Sequence, residues 1–360
     1  MTAAHTIAPA RRIPVGVLGA TGAVGQTFIR LLANHPWFVV AAVAASERSA
    51  GKKYRDAAHW LGGEMPESVA NLTVTACDPS AVDAPIVFSA LDSDVAGEVE
   101  ASFARAGRLV LSNARHYRMD ADVPLLIPEV NPDHLGLIPI QRAARGWTGA
   151  IVTNSNCSTM VIALALAPLH QAFGVTELFV TTLQALSGAG YPGVPSLDIL
   201  GNTIPFIGGG EEEKIESEPL KILGTFEQNA ITPARMHVSA QVNRVAVEHG
   251  HTACMSVKLG SRATPEAAID AFRSWKGAIA EMRLPSAPVD PVIVTMEPDR
   301  PQPRRDVNAG NGMSVVVGRV RTDPMLDLRL VAMGHNTIRG AAGASVLNAE
   351  LMFARGFIKA

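Results

Sequence analysis

The stretch Thr153-Asn154-Ser155-Asn156-Cys157-Ser158-Thr159 sets one cysteine in a polar, turn-forming cluster that runs straight into the apolar segment MVIALALAPLHQAF. A cysteine inside a core is a small, inert hydrophobe. Cys157 instead lies outside the apolar run, where a helix has to begin. There the unpaired backbone N–H groups and the helix dipole favour a thiolate, and the same N–H groups can receive an oxyanion formed on an attacked carbonyl. A nucleophile of this kind needs an acid–base partner brought close by the fold. Of the ten histidines, His251 in NRVAVEHGH stands out, because it follows a glycine at a strand start with Arg244 seven residues before it. His249, His237 and His335 are its competitors.

The second chemical feature is Gly19-Ala20-Thr21-Gly22-Ala23-Val24-Gly25, between the apolar stretch IPVGVL and QTFIRLLANH. Between a strand and a helix, this spacing reads as a dinucleotide-binding turn. Gly19 permits the tight turn, Gly22 lets the backbone approach a pyrophosphate at the helix N-terminus, and Gly25 allows close packing of the helix. An NAD site expects an acidic residue at the end of the second strand, on the ribose 2′-hydroxyl. Here that strand ends in Ala45-Ser46 and continues Glu47-Arg48-Ser49-Ala50-Gly51-Lys52-Lys53. Ser46, Arg48 and Ser49 suit a 2′-phosphate, so NADP is expected with Glu47 turned outward; turned inward, Glu47 would serve NAD.

These residues need a frame. Strands are expected at Ile13–Leu18, Trp37–Ala45, near Leu72–Thr75, at Pro85–Leu91 and at Arg108–Ser112, alternating with helices that include Asp94–Ala106. That alternation gives an α/β, doubly wound parallel sheet. After Cys157 the pattern changes to longer strands of alternating polarity at Thr176–Leu186, Met236–Val247, Thr252–Leu259 and Met313–Arg321. They predict a mostly antiparallel sheet backed by helices, one at Pro265–Ala280. Asn336–Ala360 reads as helical. Two domains follow: residues 1–155, completed by 336–360, and residues 156–335.

Composition narrows the classes. The chain has 360 residues, 48% hydrophobic and 18% charged, with net charge −2 and mean hydropathy +0.18. There is no basic field for nucleic acid or anionic lipid, no apolar run of the ~18 residues that span a bilayer, and no signal-like stretch in the opening MTAAHTIAPARR, which reads as a short tail. Cys77, Cys157 and Cys254 are widely spaced and form no CxxC pair, which argues for a reducing cytoplasm and against structural zinc or other metal.

Seven blocks now combine: GATGAVG, SERSAGKKY, SNARHYRMDADVPLLIPEVN, TNSNCST, LQALSGAGYPGVPSLDILGNTIPFIGGGEEEKIE, NRVAVEHGH and GHNTIRGAAGASVLNAEL. Together, in this order from Ile13 to Leu351, they resemble the aspartate-semialdehyde dehydrogenase family, and its archaeal and fungal branch most closely. The resemblance implies a Rossmann-like NADP domain followed by an α+β domain for catalysis and dimerisation, assembled as a homodimer or homotetramer. It makes Cys157 the nucleophile and His251 the acid–base. It places Gln184 and Arg244 on the substrate, Arg244 on its α-carboxylate, and Glu218 on its ammonium. Asn113, Arg118 and Lys221 would hold phosphate. Gly19, Thr21, Gly22, Ala23, Val24, Ser46, Arg48 and Ser49 would hold the cofactor, with Ser187, Gly188 and Asn336 at the nicotinamide. Glu218 and Lys221 follow the charge run EEEKIE, which ordinarily marks a solvated helix face. The family more often has proline where Ser155 stands.

The implied chemistry is the reversible, phosphate-dependent oxidation of aspartate semialdehyde through a cysteine thioacyl intermediate. It runs biosynthetically from aspartyl phosphate towards threonine, methionine and lysine. A malonyl- or succinyl-coenzyme A reductase of the same fold, a more distant N-acetyl-glutamyl-phosphate reductase and a non-catalytic NADP sensor are the alternative readings.

Overall fold

Each of the short strands Ile86–Ser89, Leu109–Ser112 and Ala150–Thr153 is buried at all four residues, as strands covered on both faces must be. In the computed structural model, which describes residues 8–358, they join β1 (Ile13–Leu18), β2 (Phe38–Ala45) and β3 (Thr75–Ala76) in one sheet. Numbered on as β4, β5 and β6, they give the order β3-β2-β1-β4-β5-β6, parallel throughout. The expected third strand is thus only two residues long and overlaps Leu72–Thr75 at Thr75 alone. β6, four residues shortly before the cysteine, was not among the strands expected from the sequence. Of the tail expected over MTAAHTIAPARR, residues 1–7 lie outside the described residues.

Helix α1 (Ala23–Leu32) starts inside the glycine loop and buries Phe28, Ile29 and Leu32 against β1 and β2. α2 (Ser93–Arg105) and α3 (Leu137–Arg145) follow β4 and β5. The long helix α4 (Cys157–Phe173) is buried on nearly every side from Ser158 to Leu169, so it lies between layers and not on a surface.

The second sheet is built from β7 (Val175–Gln184), β8 (His237–Arg244), β9 (His251–Leu259), β10 (Val292–Val294), β11 (Val315–Thr322) and β12 (Leu328–Gly334). Its order is β8-β7-β9-β12-β11-β10, with three antiparallel pairs and two parallel edge pairs. β10 and β12 are additions to the strands expected from the sequence. On its inner face Leu178, Val180, Val242, Met255, Val257 and Leu330 pack with α4, α5 (Glu211–Ile222) and α6 (Pro265–Ser274). The outer face keeps Phe179, Leu183 and Cys254 exposed.

The helix expected over Pro265–Ala280 ends at Ser274, because Trp275 is extended and Gly277 takes φ +77° close against Glu129. The C-terminal segment begins as a wider π turn at Ile338–Ala342, then continues as α7 (Gly343–Ala354). Val346, Leu347 and Leu351 of α7 pack into the same core as Val15, Val17 and Phe28. Helix α7 therefore packs against the first sheet and α1.

Candidate active site

Asn156 caps α4: its Oδ1 accepts from the N–H groups of Ser158 and Thr159 at 2.9 and 3.1 Å. Cys157 is therefore the first residue of the helix, with the dipole behind it. Its Sγ lies 3.1 Å from Nε2 of His251, which opens β9 and is 1% exposed. The other ring nitrogen, Nδ1, accepts the N–H of Ala185 at 3.0 Å. A neutral ring held in this way carries its hydrogen on Nε2, facing the sulfur. The competing histidines fall elsewhere: His237 is exposed, while His249 contacts Ser187 and lies tilted by 31° against His335 with ring centroids 4.9 Å apart. Cys254 sits on the opposite sheet face, as strand alternation requires.

A cavity of about 430 Å³ opens above this pair, lined among others by Asn113, Arg118, Gln184, Glu211, Lys214 and Arg244. Gln184 and Arg244 end β7 and β8. Nη1 of Arg244 donates to the Ala185 carbonyl at 2.7 Å, and among the described residues Arg244 forms no ion pair. A guanidinium that is 5% exposed and unneutralised calls for an anionic ligand. Arg118 likewise borders the cavity, with its Nε shielded from solvent and unpartnered.

Glu218 and Lys221 do not reach this cavity. The Glu218 carboxylate is spent on Nη1 of Arg118 (2.9 Å) and the N–H of Asn156 (2.6 Å). Nζ of Lys221 donates to the carbonyls of Arg118, Asp120 and Val123 at 2.8, 2.7 and 2.8 Å, which uses all three of its hydrogens. The cavity-facing pair is Glu211 and Lys214, two turns earlier on α5 and 3.1 Å apart. Glu211 Oε1 also accepts from Gln184 and Asn156 side chains. Neither residue stood out in the sequence, although EEEK repeats the Glu-x-x-Lys spacing of Glu218 and Lys221.

Burial pushes the Cys157 thiol up to about 12, with Glu211 adding and Arg118, Arg244 and the Ser158 N–H pulling back. Burial, then Arg244 and His335, push the His251 imidazole down to about 3. Without ligand the pair is thus a thiol beside a neutral ring. Ser155 is buried with its hydroxyl unpartnered, a polar atom that proline at this position would not bring.

The glycine loop fits a dinucleotide. Gly19 has φ +70°, and a Cβ there would strike the Ala90 carbonyl at 2.5 Å; one on Gly25 would strike the Gly19 carbonyl at 2.3 Å. A Cβ on Gly22 would meet nothing nearer than 3.5 Å, so that side of the loop is open. Ser46, Glu47 and Arg48 are exposed in a turn at the end of β2, closed by the Ser49 N–H on the Ser46 carbonyl. Ser187, Gly188, Val24 and Asn336 line the cavity on the side of this loop. Asn336 is fixed by the Gly250 N–H and the Ser187 hydroxyl.

Residues 14–138 match a family model described as semialdehyde dehydrogenase, NAD binding domain, and residues 166–339 match the semialdehyde dehydrogenase dimerisation domain. The chain is 55% identical over 342 residues to an aspartate-semialdehyde dehydrogenase of Archaeoglobus fulgidus, covering 95% of this chain and 98% of that one. Against the Saccharomyces cerevisiae enzyme it is 46% identical over 359 residues, again 95% and 98% of the two chains. The crystal structure of aspartate semialdehyde dehydrogenase with NADP from Candida albicans superposes with a TM-score of 0.88 at 43% identity, over 97% of this chain and 100% of that one. A cysteine at a helix start, a histidine on its sulfur and a glycine loop above them are thus set in a chain that belongs, over nearly its whole length, to the aspartate-semialdehyde dehydrogenase family.

Proposed function

We propose that this chain catalyses the reversible NADP- and phosphate-dependent interconversion of aspartate semialdehyde and aspartyl phosphate, with Cys157 carrying the acyl group. The observation that carries this reading is the 3.1 Å approach of Cys157 Sγ and His251 Nε2 at a helix N-terminus, beneath a cavity with one carboxylate and two buried arginines. Arg244 pairs with the α-carboxylate and Gln184 orients it. Glu211, not Glu218, receives the ammonium. Arg118 and Asn113 hold phosphate, while Lys221 shapes their loop from behind. Gly19, Thr21, Gly22, Ala23 and Val24 cradle the pyrophosphate, and Ser46, Arg48 and Ser49 the 2′-phosphate. Ser187, Gly188 and Asn336 border the nicotinamide.

Because Glu211 helps hold the thiol protonated, an ammonium placed on Glu211 removes that repulsion and favours loss of the thiol proton to water in the open cavity, leaving the thiolate. Sulfur attacks the aldehyde, and the adduct oxygen forms within reach of His251 Nε2–H. The ring meets that oxygen as a donor, since accepting a proton at Nε2 would require the other tautomer and loss of the Ala185 contact. A nicotinamide held beside Ser187, Gly188 and Asn336 would take up the hydride, or supply it in the reverse direction. The resulting thioester keeps the acyl group activated until phosphate, on Arg118, displaces the sulfur.

A carboxylate inside the cavity supports an amino-bearing substrate over an acyl-coenzyme A. The assay compares NADPH oxidation with aspartyl phosphate and with malonyl-coenzyme A; turnover with the second alone overturns the reading. We further propose a homodimer through the outer face of the second sheet, where Phe179 and Leu183 are exposed. The three free cysteines support a cytoplasmic site. Among the described residues no helix is long and apolar enough to cross a membrane.

A further inference from the structure

We propose that Glu218 is a positioning residue that couples the phosphate-binding arginine to the turn bearing the nucleophile. This rests on the reading that phosphate enters beside Arg118. Glu218 is 1% exposed, and its two oxygens face two different parts of the site. Oε1 accepts from Nη1 of Arg118 at 2.9 Å, and Oε2 accepts the backbone N–H of Asn156, the residue before Cys157, at 2.6 Å.

Each end of this bridge is itself fixed. Nη2 of Arg118 donates to the Asn113 carbonyl at 2.7 Å, so two directions of the guanidinium plane are set. Its Nε is buried without a partner, and the side chain borders the cavity. Asn156 holds the first turn of α4 through Oδ1 and reaches Glu211 through Nδ2 at 2.9 Å. One turn beyond Glu218, Lys221 gathers three carbonyls of the Arg118–Val123 loop. The inner face of α5 therefore sets both where the loop lies and how Arg118 is aimed. A carboxylate is needed because both donors must be met by acceptors. An amide in its place offers one acceptor and one donor, and turns an N–H against either Arg118 or Asn156.

The test compares wild type with Glu218→Gln and Glu218→Asp, the latter keeping the charge but being one methylene too short to span both donors. Two quantities are measured: steady-state KM values for phosphate and aldehyde with NADP affinity, and the concentration of inorganic phosphate that half-slows alkylation of Cys157 by iodoacetamide, which needs no turnover. The expected result for both variants is a phosphate KM raised about 10-fold or more, with the alkylation midpoint shifted by the same factor. Aldehyde KM and NADP affinity stay within about twofold. A raised aldehyde KM with normal phosphate KM would make Glu218 a substrate ligand and overturn the proposal. A lowered Tm with every KM unchanged would make it structural only and would overturn the proposal as well. Should Glu218→Gln fail to fold, Glu218→Asp decides alone: a normal phosphate midpoint in that variant overturns the coupling. Wild-type alkylation that ignores phosphate would overturn the phosphate site itself, a failure distinct from that of the coupling.

Discussion

Gln184 and Arg244, the last residues of two adjacent parallel strands, are direct partners across the pair. Strand register alone thus brings an amide and a guanidinium side by side at one end of the sheet, over Cys157. Sixty residues separate them in the chain, so only the sheet can make them neighbours.

Arg244→Lys keeps the charge and loses the planar fork. With a charge-assisted hydrogen bond worth about 1.5–3 kcal/mol, kcat/KM for the aldehyde should fall roughly 10- to 150-fold with cofactor affinity intact. An unchanged kcat/KM would remove Arg244 from the α-carboxylate.

Glu211→Gln is expected to act in two opposite senses. Aldehyde KM should rise roughly 10- to 100-fold through loss of the ammonium partner. In the free protein, alkylation of Cys157 at pH 8 should become faster, because a charge that pushes the thiol upward is gone. Slower alkylation would mean that Glu211 does not face the sulfur.

Cys157→Ser should keep the fold and NADP binding yet lose roughly 10³-fold or more in turnover, the scale on which removal of a nucleophile acts. Cys254→Ser on the outer sheet face is the control and should leave kcat unchanged. Substrate should slow alkylation at Cys157, read by peptide mass mapping; activity lost in step with label at Cys77 or Cys254 would reassign the nucleophile.

Arg48→Ala should raise KM for NADP about 10-fold or more while leaving the weaker use of NAD unaltered, if Arg48 binds the 2′-phosphate. Equal effects on both cofactors would place Arg48 elsewhere.

Glu100, fully buried under β4 and β5 beside Ser89 and Ser112, has its carboxyl pushed up from 4.5 to about 7 by burial. The folded chain then holds this proton where the unfolded chain has released it, so this group's contribution to stability falls as pH rises from about 4.5 to 7. At about 1.4 kcal/mol per pKa unit, Glu100→Gln should stabilise the protein by up to roughly 3 kcal/mol at pH 8. At pH 4.5 it should have little effect. Urea unfolding at the two pH values measures this, and an equal effect at both would exclude Glu100 as the titrating group.

Several features were decided by local chemistry and could be read directly from the chain. Gly19 must take a left-handed turn, and Gly25 must let the helix touch the loop, whatever else surrounds them. Cys157 stands at a helix start because Asn156 caps it and an apolar run follows. The parallel sheet follows from strands alternating with amphipathic helices. β6 and β10, of four and three residues, were not expected from the sequence, and β3, of two, was placed only roughly. They exist because neighbouring strands offer unpaired backbone groups. The placement of charge on α5 belongs to the tertiary structure alone. Glu211 and Lys214 precede Glu218 and Lys221 by seven residues, which is almost two turns at 3.6 residues each, so both pairs lie on one stripe of the helix. Nothing in the spacing says which pair faces the cavity. The choice was made by where α5 crosses the ends of β7 and β8, which puts Glu211 at the cavity and leaves Glu218 about 10 Å further along the axis, against Arg118.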